Sequence, residues 1–267
     1  MSDGPIISLR NVTKKFGDVT AVNDVSFDVQ RGETFAFLGP NGAGKTTTIR
    51  MLTTLTRPTS GTIAMDGLDP VTHPTDVRRR FGVVFQDPSL DQELTAWENM
   101  EVHGVLYHVP RKETRERATL LLELFELYDR KDALVKTFSG GMRRRLEIAR
   151  GLLHTPTLLF LDEPTLGLDP QSRNQMWTHV KNLNKSEGVT VFLTTHYMDE
   201  AERVADRIAV IDHGRIVAIG SAAELKAQTK TESLEAAFLA LTGHAIREET
   251  AGAADRMRQM AAMFRRR

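Results

Sequence analysis

The sequence contains no cysteine, which excludes disulfide bonds, zinc thiolate sites and catalysis by a thiol. This absence is typical of a protein kept in a reducing compartment. An excess of either charge is also missing, because 35 basic residues balance 35 acidic ones. A chain without a basic excess has no overall electrostatic attraction to a polyanion. We therefore expect no nucleic acid among its partners.

Long hydrophobic runs are missing too. Apolar runs such as residues 158–161 and 189–193 are far too short to cross a bilayer. Residues 1–5 do not show the basic-then-apolar pattern of a signal peptide. We expect a cytosolic protein that reaches a membrane only through a partner. With 267 residues and 40 % hydrophobic content, the chain can still form a substantial core.

A glycine-rich motif is the strongest feature that is present. Residues 39–47 read Gly-Pro-Asn-Gly-Ala-Gly-Lys-Thr-Thr, which fits the phosphate-loop pattern of a glycine, four residues, then Gly-Lys-Ser/Thr. The apolar residues 34–38 before it predict a buried strand, and residues 46–55 after it can form a helix. A chance glycine-rich turn is the alternative, but every fixed position of the pattern is filled. The motif predicts a nucleoside triphosphate site.

The residue types of the loop explain its chemistry. Gly39, Gly42 and Gly44 lack a Cβ, so the backbone can turn its N–H groups toward phosphate oxygens at a helix N-terminus. Lys45 can reach the β- and γ-phosphates, and the Thr46 hydroxyl can hold Mg²⁺ between them. The residues predicted to bind the nucleoside triphosphate in this loop are Gly39, Pro40, Asn41, Gly42, Ala43, Gly44, Lys45, Thr46 and Thr47.

Polar residues follow three further predicted strands. Gln86 follows one strand, Asp162 and Glu163 follow another, and His196 follows a third. Ligands of open α/β sheets are held at the carboxyl ends of the strands, so we expect these side chains near Lys45. Two adjacent buried acids repel each other, and burial adds a desolvation cost. A metal or a reactive water that uses the pair would justify this cost. A lone histidine is usually a surface or core residue, but the place of His196 at this edge makes a functional role an equal alternative.

The periodicity of the chain predicts an α/β architecture with additions. Alternation in residues 21–29 predicts an antiparallel sheet with one solvated face. Helical periodicity from residue 94 to residue 153 predicts a helical insertion, which includes a capping box at residues 95–98. We place a core at residues 1–88 and 156–225, the insertion at residues 89–155 and a C-terminal helical extension at residues 226–267.

Three other local interpretations follow from the pattern. The stretch Lys14-Lys15-Phe16-Gly17 predicts a loop, where Phe16 is either core filler or a base-stacking ring. Residues 139–142 predict a helix start, with the run from Arg143 to Arg145 on its solvated face. The amphipathic residues 253–267 either pack back on the domain or lie on a membrane surface.

The stretch Phe138-Ser139-Gly140-Gly141-Met142 resembles the signature of ABC transporter ATP-binding subunits. Other phosphate-loop ATPases lack this signature, so kinases and GTPases are disfavoured. The resemblance covers nearly the whole chain up to about residue 225. It implies a phosphate-loop NTPase (RecA-like) core with an antiparallel β subdomain and an inserted α-helical subdomain.

The resemblance also implies a role for each matching residue. Glu163 would be the general base, Gln86 would sense Mg²⁺ and the attacking water, and Asp162 would support the metal together with Thr46. His196 would contact the γ-phosphate, and Phe16 would stack on adenine.

In this family two ATP molecules are enclosed in a head-to-tail dimer. The resemblance therefore implies that Ser139, Gly140 and Gly141 bind the nucleotide of the other subunit, and that residues 167–169 cross the interface. A second copy of the chain and a separate transmembrane permease are the implied partners, with the permease docking around residues 86–100. The chain would then lie on the cytoplasmic face of the membrane through that permease.

Some positions depart from the commonest pattern. Phe16 replaces tyrosine, Met142 replaces glutamine and Gly167 replaces alanine. Met142 with the arginine run after it, and the sequence of residues 233–243, are most similar to the drug-resistance branch typified by daunorubicin export. Related subunits export sodium, lipids or polysaccharides. We expect an ATP-hydrolysing exporter subunit whose cargo is a drug, antibiotic or lipid-like molecule.

Two other classes of protein stay open at this point. One is a soluble relative that works on ribosomes or DNA, but such proteins usually carry two domains or long coiled-coil insertions, and this chain has neither. The other is a regulatory clamp that binds ATP without turnover, which Glu163 and His196 argue against.

Overall fold

The computed structural model describes residues 4–243, which contain both strands and helices. The strands are β1 (Ile7–Phe16), β2 (Val19–Val29), β3 (Thr34–Leu38), β4 (Ser60–Met65), β5 (Phe81–Val84), β6 (Leu158–Asp162), β7 (Thr190–Thr195), β8 (Arg207–Asp212) and β9 (Arg215–Gly220). The helices are α1 (Lys45–Leu52), α2 (Pro74–Arg78), α3 (Ala96–Leu106), α4 (Arg111–Leu124), α5 (Gly140–Gly151), α6 (Pro170–Glu187), α7 (Met198–Val204), α8 (Ala222–Thr229) and α9 (Leu234–Thr242). Short 3₁₀ helices cover Tyr128–Arg130 and Val135–Thr137.

A mainly parallel sheet forms the centre of the fold, in the order β5-β6-β7-β3-β8-β9. The first five strands in this order, from β5 to β8 and including β3, run parallel. Strand β9 runs antiparallel to β8. Every residue of β3, β6 and β7 is buried, so these strands carry apolar side chains on both faces. Along β3, for example, Phe35 and Phe37 point to one hydrophobic cluster, whereas Ala36 and Leu38 belong to the other. This confirms the predicted α/β core.

A smaller antiparallel sheet, β2-β1-β4, packs over one face of the central sheet. Phe27 of this sheet stacks on Phe35 with ring centroids 5.4 Å apart and lies 6.2 Å from the ring of Phe192. The predicted antiparallel subdomain is thus confirmed. The predicted loop at Lys14 to Phe16 is wrong, because β1 continues through these residues until Phe16 pairs with Val19. The turn is confined to Gly17 and Asp18.

Helices α3 to α5 occupy the region for which helical periodicity was predicted. The Thr95 side chain accepts from the Glu98 backbone N–H and the Glu98 side chain binds back to the Thr95 N–H, which confirms the capping box. Ser139 caps α5 by accepting from the N–H of Met142. The limits of the insertion, residues 89–155, stay a prediction, because side chains of α5 and of the sheet share one cluster.

The arginine run on α5 is not a solvated face, so that prediction is wrong. Arg144 is 8 % exposed, and the Arg145 side chain is largely buried and donates to the carbonyl of Phe125. Both guanidinium groups find backbone carbonyls as acceptors, which makes their burial tolerable. Helix α5 is buried nearly all round, because it packs between the other helices and the edge of the sheet.

The C-terminal helices pack on the same domain. Leu225 of α8 and both Leu234 and Phe238 of α9 are buried in the cluster that contains the sheet. Helix α8 crosses residue 225, so the boundary between the ATP-binding domain and the extension stays a prediction. The predicted amphipathic segment 253–267 lies outside the described residues. Within residues 4–243, no helix is both long and apolar enough to cross a membrane.

A group of aromatic rings joins α3 to the end of α5. Tyr107 stacks on His154 with centroids 3.9 Å apart, and His103 lies 4.5 Å from the Tyr107 ring. Burial lowers the pKa of His103 to about 3 and that of His154 to about 4. Both histidines are therefore neutral at physiological pH.

We predict that acidification destabilises the protein through these two rings. In the unfolded chain they titrate near pH 6.5, so their contribution is complete above that pH and is lost as the pH falls toward about 4. The expected loss at pH 5 is about 2 kcal/mol per histidine. Urea unfolding of the wild type at pH 7.5 and pH 5.0 measures it.

The matched variants are His103→Asn with His154→Gln, and His213→Asn at an exposed turn as the control. The double variant should lose clearly less stability on acidification than the wild type, whereas the control should behave like the wild type. Equal pH dependence in all three proteins would show that the two rings do not cause the effect.

Candidate active site

The glycine-rich loop connects β3 to α1 at the carboxyl end of the sheet. Gly44 is the N-cap of α1 with φ = 106°, a conformation that glycine adopts without strain. A Cβ at Gly44 would lie 2.5 Å from the Ala21 carbonyl oxygen, and one at Gly39 would lie 2.4 Å from that of Ile211. The loop therefore needs glycine at both positions, for conformation and for space.

Lys45 is the first residue of α1 and is only 5 % exposed. Its ammonium donates to the carbonyl oxygens of Gly39 at 2.8 Å and Pro40 at 3.2 Å. The same nitrogen lies 3.2 Å from Glu163 Oε1. The loop thus folds around a buried cation.

Asp162 ends β6 and is buried. Its Oδ1 accepts from the Thr194 hydroxyl at 2.6 Å and lies 3.5 Å from the Thr46 hydroxyl. Burial raises the pKa of Asp162, and the hydrogen bond from Thr194 opposes that rise. Strand pairing accounts for the contact, because Asp162 and Thr194 are register partners in β6 and β7.

Glu163 follows β6 directly and has φ = 47°, in the left-handed region that is uncommon outside glycine. Its carboxylate lies between the Lys45 ammonium and the His196 ring, with Oε1 3.2 Å from Lys45 Nζ and Oε2 3.2 Å from His196 Nδ1. Burial opposes ionisation, but the close approach of His196 and the charge of Lys45 outweigh it and lower the pKa of Glu163. Glu163 is therefore an anion at neutral pH.

A cavity of about 260 Å³ opens in front of these groups. It is lined by Ala21, Asn41, Gly42, Gly44, Lys45, Thr46, Thr47, Gln86 and Glu163. The structure thus brings most of the phosphate-loop residues together with Gln86 and Glu163. Asp162 and His196 do not line the cavity, but His196 contacts Glu163 at 3.2 Å. Gln86 is exposed on the wall of this cavity.

The donor set fits a magnesium ion that is shared with a nucleotide. Thr46 and Asp162 present a hydroxyl and a carboxylate side by side, the oxygen ligands that Mg²⁺ prefers. Residues 4–243 contain no cluster of three or more acids or histidines that could hold a metal ion. Mg²⁺ usually binds through one or two carboxylates plus substrate phosphates, so a sparse protein site of this kind is suitable.

Other residues predicted for the site lie outside the cavity. Phe16 is 51 % exposed at the β1–β2 turn, with Lys14 Nζ 4.8 Å from its ring centroid, so it is not core filler. Ser139, Gly140 and Gly141 begin α5 and do not line the cavity. A Cβ at Gly141 would lie 2.7 Å from Ser172 Oγ on α6, which gives this glycine a packing reason as well.

Sequence reasoning missed two residues that shape the site. Thr194 binds Asp162 through its hydroxyl and accepts from the Glu163 N–H through its own carbonyl and hydroxyl oxygens. Thr194 is one of two threonines that end the buried strand β7, directly before His196, and hydroxyl residues at that place are the signal that could have identified it. Arg144 donates to backbone carbonyls around Glu163, and no sequence signal distinguishes it from its arginine neighbours.

Comparison with known proteins identifies the class to which this fold and site belong. The family of ABC transporters matches residues 22–166. The daunorubicin/doxorubicin resistance ATP-binding protein DrrA of Streptomyces peucetius is 51 % identical over 220 residues, which cover 82 % of this chain and 66 % of that protein. The Nod factor export ATP-binding protein I of Ralstonia nicotianae is 46 % identical over 221 residues, or 83 % and 68 % of the two chains.

Solved structures give the same answer. The ATP-binding cassette MJ0796, in a dimeric post-hydrolysis state bound to ADP and Pi, superposes with a TM-score of 0.72 and 31 % identity over 80 % of this chain and 98 % of that one. This chain belongs to the ABC transporter family. It is an ATP-binding subunit of that family and an ATPase, similar to the drug-resistance and export branch, as the sequence predicted.

We predict that Gly44→Ala impairs both folding and nucleotide binding. The new Cβ would strain the backbone by about 1–3 kcal/mol and meet the Ala21 carbonyl. Affinity for a fluorescent ATP analogue should fall roughly tenfold or more, which corresponds to about 1.4 kcal/mol. Thermal unfolding and nucleotide titration measure the two effects.

Gly188→Ala is the matched control. Gly188 also has a positive φ of 66°, but within residues 4–243 no atom beyond its chain neighbours lies within 4 Å of the position that a Cβ would take there. The variant should lower the melting temperature without changing nucleotide affinity. Equal affinity of both variants for the analogue would contradict the prediction.

Proposed function

We propose that the chain hydrolyses ATP in this cavity with Glu163 as the general base. The observation that carries the proposal is the position of the Glu163 carboxylate, ionised and held 3.2 Å from both Lys45 and His196 at the wall of a phosphate-loop cavity. The loop N–H groups and Lys45 bind the phosphates, as expected for an anion site at a helix N-terminus. Glu163 then accepts the proton of the water that attacks the γ-phosphorus.

Binding of ATP changes the partners of the base. The phosphate oxygens compete with Glu163 for the Lys45 ammonium, which in this structure contacts the carboxylate. Loss of that cation removes one of the interactions that lower the pKa of Glu163. A higher pKa makes the carboxylate a stronger base at the moment when the substrate is in place. His196 remains on the other carboxylate oxygen and orients it, and contacts the γ-phosphate.

Thr46 and Asp162 would hold Mg²⁺, with Gln86 responding to the ion and to the attacking water. The ion, when bound, neutralises the charge that develops between the β- and γ-phosphates. Thr194 keeps one oxygen of Asp162 in a fixed orientation. Burial raises the pKa of Asp162, and a bound cation would favour its charged form.

We also propose that two copies enclose two ATP molecules. Ser139, Gly140 and Gly141 lie outside the cavity of their own chain, so they are free to act on the nucleotide of a second copy, with residues 167–169 near the interface. Phe16, exposed at its hairpin, would stack on the adenine. The dimeric state of the related cassette MJ0796 supports this arrangement.

The proposed membrane partner is a separate permease that binds along residues 86–100 and the adjoining face of α3. Val102, Val105 and Leu106 of α3 are exposed apolar side chains, an unusual arrangement for a free helix face. The names of the relatives, which refer to daunorubicin/doxorubicin resistance and to Nod factor export, favour outward transport. The proposed cargo is a drug, an antibiotic or a lipid-like molecule. The chain would then lie on the cytoplasmic face of the membrane through this permease.

We predict that Glu163→Gln reduces ATP turnover roughly 10²- to 10⁴-fold and leaves ATP binding intact. The amide keeps the shape of the side chain but cannot accept the proton of the water. Phosphate release at saturating ATP and titration with a fluorescent analogue measure the two properties. Glu187→Gln, at the exposed end of α6, is the control and should retain full turnover. Wild-type turnover of Glu163→Gln would disprove the assigned role.

We predict that a polytopic membrane protein co-purifies in stoichiometric amount with tagged chain from detergent-solubilised native membranes. Val105→Asp should reduce its recovery, because a charge at an apolar contact must be desolvated. Val217→Asp changes an exposed valine on β9 and should not affect recovery. Mass spectrometry identifies the recovered chains. Ribosomal or DNA-repair proteins in their place would contradict the transport function and leave the ATPase chemistry standing.

A further inference from the structure

A buried ion pair on α5 lies next to the proposed site but belongs to none of its motifs. Arg144 and Glu147 are 8 % and 4 % exposed, and Arg144 Nη1 lies 2.9 Å from Glu147 Oε2. Burying two charges costs more free energy than their attraction returns unless further hydrogen bonds satisfy them. Apolar side chains of similar volume would stabilise the helix at least as well. Stability alone therefore does not explain the pair, and its hydrogen bonds to other segments indicate what it does.

One side of the Arg144 guanidinium holds the segment that contains Glu163. Its Nε donates to the Pro164 carbonyl at 2.7 Å, and its Nη2 lies 3.2 Å from the Asp162 carbonyl and 3.3 Å from the Glu163 carbonyl. Three consecutive carbonyl groups are thus bound by one planar cation. Glu163 has the uncommon φ of 47°, and such a conformation persists only where its surroundings fix it.

The other side of the same pair holds the loop that contains Gln86. Arg144 Nη1 donates to the Phe85 carbonyl at 2.6 Å, directly before Gln86. Glu147 Oε1 accepts from the Ser89 N–H at 2.8 Å, which ties down the far end of that loop. Arg150, further along α5, donates to the Ser89 carbonyl at 2.8 Å.

We propose that Arg144, oriented by Glu147, is a positioning residue that fixes the backbone of Glu163 relative to the Gln86 loop and so sets the rate of ATP hydrolysis. The proposal rests on the role of Glu163 proposed above. The rigid fork of arginine can bind carbonyls of both segments at once, whereas the point charge of lysine cannot keep all of these contacts. A base that is misplaced by about 1 Å can lose roughly 10²-fold in rate.

The test compares Arg144→Lys with the same substitution at a control arginine, which also donates to backbone carbonyls but away from Glu163. Arg117 of α4 donates to the carbonyls of Leu152 and Leu153 at the far end of α5. Arg117→Lys should lower the melting temperature and leave turnover unchanged. Arg144→Lys should lower kcat roughly 10- to 100-fold, with affinity for a fluorescent ATP analogue within about twofold of wild type.

The same substitution in the Glu163→Gln background separates positioning from general damage. If Arg144 acts through Glu163, Arg144→Lys should reduce the residual turnover of Glu163→Gln by less than about threefold, since coupled residues are not additive. A full additional loss, or a kcat of Arg144→Lys within about twofold of wild type, would overturn the proposal. Wild-type turnover of Glu163→Gln alone would instead disprove the proposed base, so the two failures are distinguishable.

Glu147→Gln provides a second variant that keeps the volume of the side chain. It removes the charge that orients Arg144 and leaves the guanidinium bound to the carbonyls. We expect a smaller decrease in kcat than for Arg144→Lys, again with unchanged affinity for the ATP analogue. If Arg144→Lys does not fold, a kcat for Glu147→Gln equal to wild type would overturn the proposal.

Discussion

Parallel pairing of three fully buried strands is the constraint on which the site depends. Strands β6, β7 and β3 are neighbours in that order, and their register places Leu38 beside Thr195 and Asp162 beside Thr194. Residues that follow these strands must therefore emerge side by side, about 4.8 Å from strand to strand. These strands bury both faces by pairing in the centre of a parallel sheet. Their carboxyl ends then lie at one edge, which brings together segments that are distant in sequence.

Different surroundings give the two adjacent acids different properties. Asp162 still lies within the sheet, and burial raises its pKa, whereas Glu163 turns out of the sheet toward Lys45 and His196, and its pKa is lowered. Pairs of carboxylates whose environments separate their pKa values commonly divide the chemical roles between them. This division fits the roles proposed above, in which Asp162 would hold the metal ion and Glu163 would act as the base once the phosphates compete for Lys45. Thr194 supports both, through Asp162 Oδ1 and the Glu163 N–H.

The sequence was sufficient to predict which motif residues meet at one edge of the sheet. It was not sufficient to predict Thr194 and Arg144, which hold those residues in position. The motif residues follow strands, and the rule that ligands bind at the carboxyl ends of parallel strands was enough to bring them together. The helical period assumes that one face of a helix is buried, so it assigned Arg144 to solvent, although α5 is covered on nearly all sides. The sequence pattern also did not predict that β1 continues to Phe16. Gly17 marks only the turn that follows the strand, not where the strand ends. Side-chain to backbone contacts between distant segments have no periodic signature at all.

Helix α5 carries the signature residues and the Arg144–Glu147 pair on one rigid element. Ser139 and Arg144 are five positions apart, which is about 7.5 Å along a helix, so a displacement of the helix start must also displace the carbonyl partners of Arg144 or break those contacts. A second connection reaches the same segment from the other side, where buried Glu200 of α7 accepts from the Thr165 hydroxyl at 2.7 Å. His196 lies just before α7, and Thr165 lies two residues after Glu163. The segment that contains the proposed base, Glu163, is thus bound by α5 and α7, and α5 begins at the proposed contact with the partner's nucleotide. If that contact forms as proposed, closure of the dimer changes the position of the Glu163 segment through α5. The central sheet, from which Glu163 emerges, does not need to change.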